Sequence, residues 1–301
     1  MSKHISVMAE EAIELLGVKE KGIYVDGTLG RGGHSRLILE KLNGGHLYGF
    51  DLDEEAIRES QAVLKDYENV TYIHDNFARM KQYVPKADGI LLDLGVSSPQ
   101  FDEAERGFSY RYDSRLDMRM DKSAPLSAYE VVNTYPEAEL SRILWEYGEE
   151  KNARRIAARI VEKRPIETTF ELVEVIKSAL SAKTLSQKGH PARQTFQALR
   201  IEVNHELDSL KEFLESFDEI LVPGGRVVII SFHSLEDRLV KYRFKQLSSV
   251  KDDLRIDLDP DQVPKARYRL LNHGVKAGAE EISENNRARS AILRGVEKIY
   301  D

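Results

Sequence analysis

Ile23-Tyr24-Val25-Asp26-Gly27-Thr28-Leu29-Gly30-Arg31-Gly32-Gly33-His34 runs from an apolar segment through an acid into a loop with four glycines in seven positions. Residues Ser35 to Leu42 then carry a helical spacing of apolar side chains. Strand, glycine loop and helix form the first unit of a nucleotide-type α/β fold. Glycine suits such a loop because the backbone must turn tightly and approach a ligand where a Cβ would collide. The spacing is not G-x-G-x-x-G, so the loop taken alone equally fits a turn that packs a helix on a sheet.

The same grammar repeats beyond this unit. His46 to Asp51 reads as a second strand ending in an acid, and Asp53 to Tyr67 as a helix. Asn69 to His74 reads as a third strand, Ala78 to Val84 as a short helix, and Ala87 to Leu94 as a fourth strand with Asp93 near its end. Strands and helices that alternate over short connections predict a parallel sheet. Met8 to Leu16 reads as a helix before the first strand.

Past Phe101 the pattern changes. The chain becomes strand-poor to Met120, and helical spacing follows over 128–132, 137–145, 152–162 and 169–180. A polar loop is expected over 181–192 and one long helix over 192–217. Pro223-Gly224-Gly225 then turns into the buried strand Arg226 to Ser231. We therefore expect one α/β domain, residues 1–106 with 206–301, interrupted by a helical domain over 107–205. Insertions of this kind enter loops at sheet ends, which tolerate them. Ser234 and Asp237 are expected at the N-cap and third position of a helix running to Phe244. Arg267 to Leu271 and Arg289 to Arg294 are expected to pair as antiparallel strands.

The chain has 301 residues, a formal charge of −7 and no cysteine. Disulfides, a thiolate nucleophile and cysteine-based zinc sites are thereby excluded. No histidine pair has zinc spacing, and neither a G-K-[ST] loop nor G-x-S-x-G occurs, so no metal site, P-loop or hydrolase triad is expected. No apolar run approaches the roughly 18 residues of a membrane span and no signal segment is evident, so a soluble cytoplasmic protein is expected.

Ligands of open α/β sheets lie beyond the carboxyl ends of the strands. Asp26, Asp51 and Asp93 recur there. A carboxylate at Asp51 can accept both hydroxyl hydrogens of a ribose, which suits a dinucleotide or S-adenosylmethionine alike. The cations cluster elsewhere. Lys151, Arg154, Arg155, Arg159, Lys163 and Arg164 fall in one stretch with Glu162 as its single acid. Lys177, Lys183, Lys188, Arg193 and Arg200 fall in an acid-free one. Solvated helix faces explain some of these charges, as with Arg115 near Asp117 and Asp121. An acid-free run on an acidic protein points to a polyanionic substrate.

Several long motifs, in order, resemble the MraW/RsmH family of bacterial S-adenosylmethionine-dependent methyltransferases of small-subunit ribosomal RNA. They are the glycine loop Asp26 to Ser35, Leu92-Asp93-Leu94-Gly95-Val96-Ser97-Ser98-Pro99-Gln100, Arg106-Gly107-Phe108-Ser109 and Leu116 to Met120. Ala192 to Ile201, Ser231 to Arg238 and Asn286 to Ala291 belong to the same set. The resemblance implies a seven-stranded, Rossmann-like methyltransferase sheet with an all-helical insert. It implies methyl transfer to cytidine N4 in the decoding region of 16S ribosomal RNA. It places Gly32, Gly33 and His34 along the methionine part of the cofactor, Asp51 on its ribose and Phe77 by its adenine, with Asp93 and Gln100 completing the site.

Ser97-Ser98-Pro99-Gln100 stands where amino-methyltransferases carry a loop resembling [D/N/S]-P-P-Y, and is the candidate catalytic segment. It lacks the second proline and the aromatic, so any base stacking must come from elsewhere. Two other classes compete. An NAD-dependent oxidoreductase would use the same loop but needs a hydride-transfer acid or base in the insert. A non-catalytic RNA-binding protein would hold cofactor without transferring methyl to RNA.

Overall fold

The computed structural model describes residues 6–96, 104–250 and 265–301. Two compact units are present: Met1–Gly95 with Asp208–Asp301, and Val96–Leu207.

The first unit is built on a sheet of β1 (Ile23–Asp26), β2 (His46–Asp51), β3 (Val70–His74), β4 (Ala87–Asp93), β5 (Leu221–Ser231), β6 (Tyr268–Leu270), β7 (Val275–Lys276) and β8 (Ile292–Lys298). Its order is β3-β2-β1-β4-β5-β8-β6, with β7 paired to β8 off that path. The strands through β5 are parallel, and β8 runs antiparallel to β5, β6 and β7. The path thus has seven strands, and the two-residue β7 makes an eighth. The partner of β6 is Ile292–Lys298, which begins three residues later than the expected 289–294 and meets β6 through Val296 to Lys298, because Asn286–Ser290 winds into a 3-10 turn.

Side chains alternate across a strand, and the core divides accordingly. Val25, Ile90, Leu92, Val227 and Ile229 face one side with Phe213, Phe217 and Phe244. Tyr24, Leu91, Val228 and Ile230 face the other with Ile13, Leu16 and Ile38. These are layers of α1 (Ala9–Leu16) and α2 (Gly33–Leu39) against one face and the segment after Asp208 against the opposite one. α3 (Glu54–Val63) follows β2.

The chain runs outward from β1 to β3, then returns to place β4 on the other side of β1. This reversal is the topological switch point, where the crevice beyond the strand ends receives ligands.

The second unit is helical: α4 (Ala128–Thr134), α5 (Glu137–Glu146), α6 (Ala153–Lys163), α7 (Thr169–Ala179), α8 (Ala182–Leu185) and α9 (Arg193–Asn204). Ser127 with Glu130, and Thr168 with Glu171, form capping boxes that start α4 and α7. Leu140, Ile143, Leu144, Ile156, Ile160, Leu172, Ile176 and Leu199 make its core. The polar run over 181–192 is not all loop, since it contains α8.

The single helix expected over 192–217 is broken. His205 takes φ 50° and closes α9, and a new helix, α10 (Glu206–Ser216), begins. The Arg200 guanidinium donates to both Glu206 carboxylate oxygens, at 2.8 and 2.9 Å. Residues six apart point away from each other on a continuous helix of 3.6 residues per turn, so this pair forms only across the break. Asn204 holds the end of α9, accepting from Met120 N at 2.7 Å and donating to Met118 O at 2.8 Å.

Candidate cofactor site

The register puts Asp26 opposite Gly49 on β2 and Leu91 on β4. Asp51 and Asp93 therefore stand two residues beyond Asp26 on its two neighbours, with side chains of the same parity. The three acids play different parts. Asp26 is buried and committed inward, accepting from Ser35 Oγ at 2.7 Å and Thr28 N at 3.2 Å. It fastens the glycine loop to α2.

The loop is stitched to both flanking strands: Gly27 N donates to Leu91 O at 2.9 Å, and Leu29 N to Phe50 O at 2.8 Å. Gly30 and Gly32 take φ of 50° and 76°. The need for glycine at Gly33 is steric, since a Cβ would lie 2.0 Å from Ser6 Oγ. The first internal bond of α2 runs from Arg36 N to Gly32 O at 2.8 Å. The amides of Gly33, His34 and Ser35 are thus not used by the helix.

Asp51 accepts from Gly30 N at 2.8 Å through Oδ2 and from Asp53 N at 2.9 Å through Oδ1. Each oxygen keeps a lone pair for a further donor. Burial pushes this carboxyl up to about 6, against the pull of the two amides.

Asp93 is the least satisfied of the three. Its backbone N–H donates to Thr28 Oγ1 at 2.6 Å. Its Oδ2 faces His34 Nδ1 at 3.7 Å, while Oδ1 is buried with no hydrogen-bond partner among the described residues. Burial pushes this carboxyl up to about 6, with His34 pulling the other way and Asp26, Glu236 and Glu281 adding repulsion. His34 is buried, with Nε2 3.1 Å from Val7 O. A carbonyl can only accept, so Nε2 carries a hydrogen and Nδ1 is the nitrogen turned to Asp93. At 3.7 Å that contact is electrostatic, beyond hydrogen-bond length.

Phe77 opens the 3-10 turn Phe77–Gln82 and meets Phe213 edge to face at 5.9 Å. Asn76 caps that turn through Ala78 N and donates to Ser209 Oγ at 2.8 Å. The structure thus sets Gly32, Gly33, His34 and Asp93 in one bonded group around the end of β1, with Asp51 tied to it through Gly30. It seats Phe77 at the adjoining edge of the core. Ser97, Ser98, Pro99 and Gln100 lie outside the described residues. Sequence reasoning passed over Thr28, Val7 and Glu281, whose carboxylate accepts from Met8 N at 2.6 Å. Thr28 carried a signal, two residues beyond the strand acid. Val7 acts through its backbone and carried none.

The helix after β5, α11 (Ser234–Leu247), is capped one residue earlier than expected. His233 is the N-cap, with Nδ1 accepting from Glu236 N at 3.4 Å, and Glu236 accepts from Phe232 N at 2.8 Å. Asp237 is instead taken by Arg294, at 2.7 and 3.1 Å.

In the second unit the cations sort into two groups. Arg164 donates to Val132 O and Tyr135 O, and Arg200 is locked to Glu206, so both are structural. Arg119 rather than Arg115 pairs with Asp117, while Arg115 lies over Tyr129 at 5.4 Å. Arg159 and Lys163 share Glu162, and Lys177 pairs with Glu174. Lys151, Arg154, Arg155, Lys183, Lys188 and Arg193 are exposed and have no acidic partner among the described residues.

A glycine loop at a switch point, with a ribose-competent acid on one side and an unsatisfied acid on the other, fits more than one adenosine-bearing cofactor. Comparison with known proteins decides among them: the family model described as the MraW methylase family matches residues 1–299. The chain belongs to the MraW methylase family. Its cofactor is S-adenosylmethionine, and the dinucleotide alternative falls away. Similar to this methylase, at 48% identity over 312 residues, is "Ribosomal RNA small subunit methyltransferase H" of Lactobacillus delbrueckii subsp. bulgaricus, with 99% of each chain covered. A protein of that name from Mesoplasma florum is 49% identical over 307 residues, covering 99% of this methylase and 100% of the relative. Another, from Streptococcus dysgalactiae subsp. equisimilis, is 49% identical over 308 residues, with 98% of each chain covered. No helix among the described residues is long and apolar enough to cross a membrane.

Proposed function

We propose that this methylase transfers a methyl group to the N4 exocyclic amine of a cytidine in the decoding region of 16S small-subunit ribosomal RNA, in the cytoplasm. The buried, unpaired Asp93 Oδ1 beside the glycine loop carries the site assignment. An acceptor so placed suits an N–H or O–H donor of the bound cofactor. The relatives' printed name supports the RNA.

In this reading Asp51 accepts from the ribose hydroxyls, and the free amides at the start of α2, from Gly33 and His34, face the carboxylate of the methionine part. Gly32 shapes their approach. Phe77 lies beside the adenine, and Asp93 and Gln100 close the site. S-adenosylmethionine supplies, when bound, an electrophilic sulfonium methyl. The rest falls to the chain. Cytosine N4 is a poor nucleophile because its lone pair is delocalised into the ring. Ser97, Ser98 and Pro99 therefore hold the amine in place and accept its hydrogen bonds. No strong base is needed, since the amine becomes acidic once methylated and its proton passes to solvent.

Residues 107–205 hold the RNA. The support is the set of exposed cations there without acidic partners, which suits a phosphate backbone. Nucleosides from small ribosomal subunits lacking the modification, treated with the protein and S-adenosylmethionine, are to be read by mass spectrometry. N4-methylcytidine is expected. Methyl on cytosine C5 or on a ribose 2′-oxygen would overturn the assignment. C5 chemistry calls for a nucleophile, usually the cysteine that this chain lacks.

A further inference from the structure

The rings of Tyr110 and His190 stack face to face in the Val96–Leu207 unit, with centroids 4.1 Å apart and planes 4° from parallel. Phe196 meets Tyr110 edge-on at 5.6 Å. Phe196 is buried in the helical core, whereas Tyr110 and His190 are half-buried. The three rings therefore form a ladder that starts in the core and ends at the surface. His190 is its outermost rung, with Tyr110 as its one ring contact among the described residues.

The geometry of His190 is held by its own loop. Its Nδ1 accepts from Ala192 N at 3.3 Å, so the neutral ring carries its hydrogen on Nε2. Burial, with Lys177 and Arg111 close by, holds its pKa below the ordinary histidine value. The ring is a neutral π-surface at pH 7. Around it the surface is cationic and open. Arg111 is adjacent in sequence to Tyr110, and Lys188 and Arg193 flank His190; all three are exposed and without an acidic partner among the described residues. Gly189 faces open space, since a Cβ there would meet nothing within 4 Å.

A flat neutral ring braced from behind and skirted by unpaired cations matches one ligand chemistry. Single-stranded RNA offers a planar base beside a phosphate, and aromatic side chains, histidine included, receive such bases. We propose that the Tyr110–His190 stack is a landing platform for one unpaired nucleobase of the RNA substrate, with the neighbouring phosphates on Arg111, Lys188 and Arg193. The platform rests on the reading of residues 107–205 as the RNA-holding region.

The test uses the full-length protein and two fluorescent ten-residue probes, an oligocytidylate RNA and an abasic ribose-phosphate of equal length. His190→Leu keeps the bulk and removes the π-face. It is expected to weaken oligocytidylate binding roughly ten-fold and to leave the abasic probe unchanged. His190→Phe should restore binding, which separates lost stacking from a damaged fold. Replacing Lys183, Lys188 and Arg193 together by Gln should weaken both probes. If that triple variant weakens both while His190→Leu changes neither, or changes both alike, the stack merely pins its loop. The platform is then refuted and the RNA reading stands. If the triple variant changes neither probe, the RNA reading of this region falls and the platform falls with it.

Discussion

Thr28 Oγ1 accepts the backbone N–H of Asp93 at 2.6 Å, tying the glycine loop after β1 to the end of β4. The two strands are hydrogen-bonded neighbours, but the sheet ladder stops short of this point. One hydroxyl therefore sets the height at which the Asp93 carboxylate leaves the sheet. Thr28→Val keeps the shape and removes the acceptor. It should cost about 1–2 kcal/mol of stability and weaken S-adenosylmethionine binding, while Thr28→Ser should restore both. Calorimetry on the two variants checks this, and equal affinity in Val and wild type would sink the positional role.

Asp93→Asn should trade function for stability. The buried carboxyl titrates near 6, above its ordinary range, so the folded state holds its proton more tightly than the unfolded chain does. The destabilisation this brings is absent below the unfolded value near 4, grows as pH rises to about 6, and is level above that. The amide removes that liability, and its Nδ2 can donate to His34 Nδ1. At pH 7.5 the cofactor-free variant should be more stable by on the order of 1–3 kcal/mol, with the gain vanishing near pH 4, while cofactor affinity drops. Thermal melts across that pH range decide it.

Asp51 should answer in the opposite sense, although its carboxyl is also pushed up to about 6. Each of its oxygens already accepts a backbone N–H, from Gly30 and Asp53. Asp51→Asn turns an NH2 group against one of those donors, so it should destabilise the protein as well as weaken cofactor binding. A variant as stable as wild type at pH 7.5 would show that the loop does not depend on these bonds.

Cofactor affinity of the wild type should fall on acidification. Each carboxyl offers both oxygens as charged acceptors only when ionised, so affinity should be level above about pH 7 and decline through 6. Between pH 7.5 and 5.5 the loss should be roughly four-fold if one group governs, and more than ten-fold if both do. Titration calorimetry at half-unit steps measures it, and a flat profile would exclude both acids from the site.

Gly33→Ala should act on His34 at a distance. The new Cβ would lie 2.0 Å from Ser6 Oγ, and the segment it displaces carries the Val7 carbonyl that holds His34. Cofactor affinity should drop, and Ser6→Gly should recover most of it in the double variant. Absence of recovery would mean that the glycine serves the ligand directly rather than the packing.

Alternation of strand and helix, the glycine loop and the recurring strand-end acids were legible in the chain because each is a local pattern. Period 2 or 3.6 in apolar residues, and glycine where φ is positive, are set by neighbours within a few positions. Family motifs added the cofactor on the same local footing. What the three acids do was not legible. Asp26, Asp51 and Asp93 look alike in sequence, yet the sheet order puts one inside, bonds one to two amides and leaves one with a buried oxygen unpaired. The break at His205 was hidden because both sides of it have helical spacing, and what favours it is the Arg200–Glu206 pair, which closes only across the break, and Asn204, whose partners Met120 and Met118 lie 84 and 86 residues back. The Tyr110–His190 stack joins residues eighty apart. Composition and periodicity report the energies of neighbours along the chain. Partnerships between distant residues depend on burial and register, and these exist only once the chain has folded.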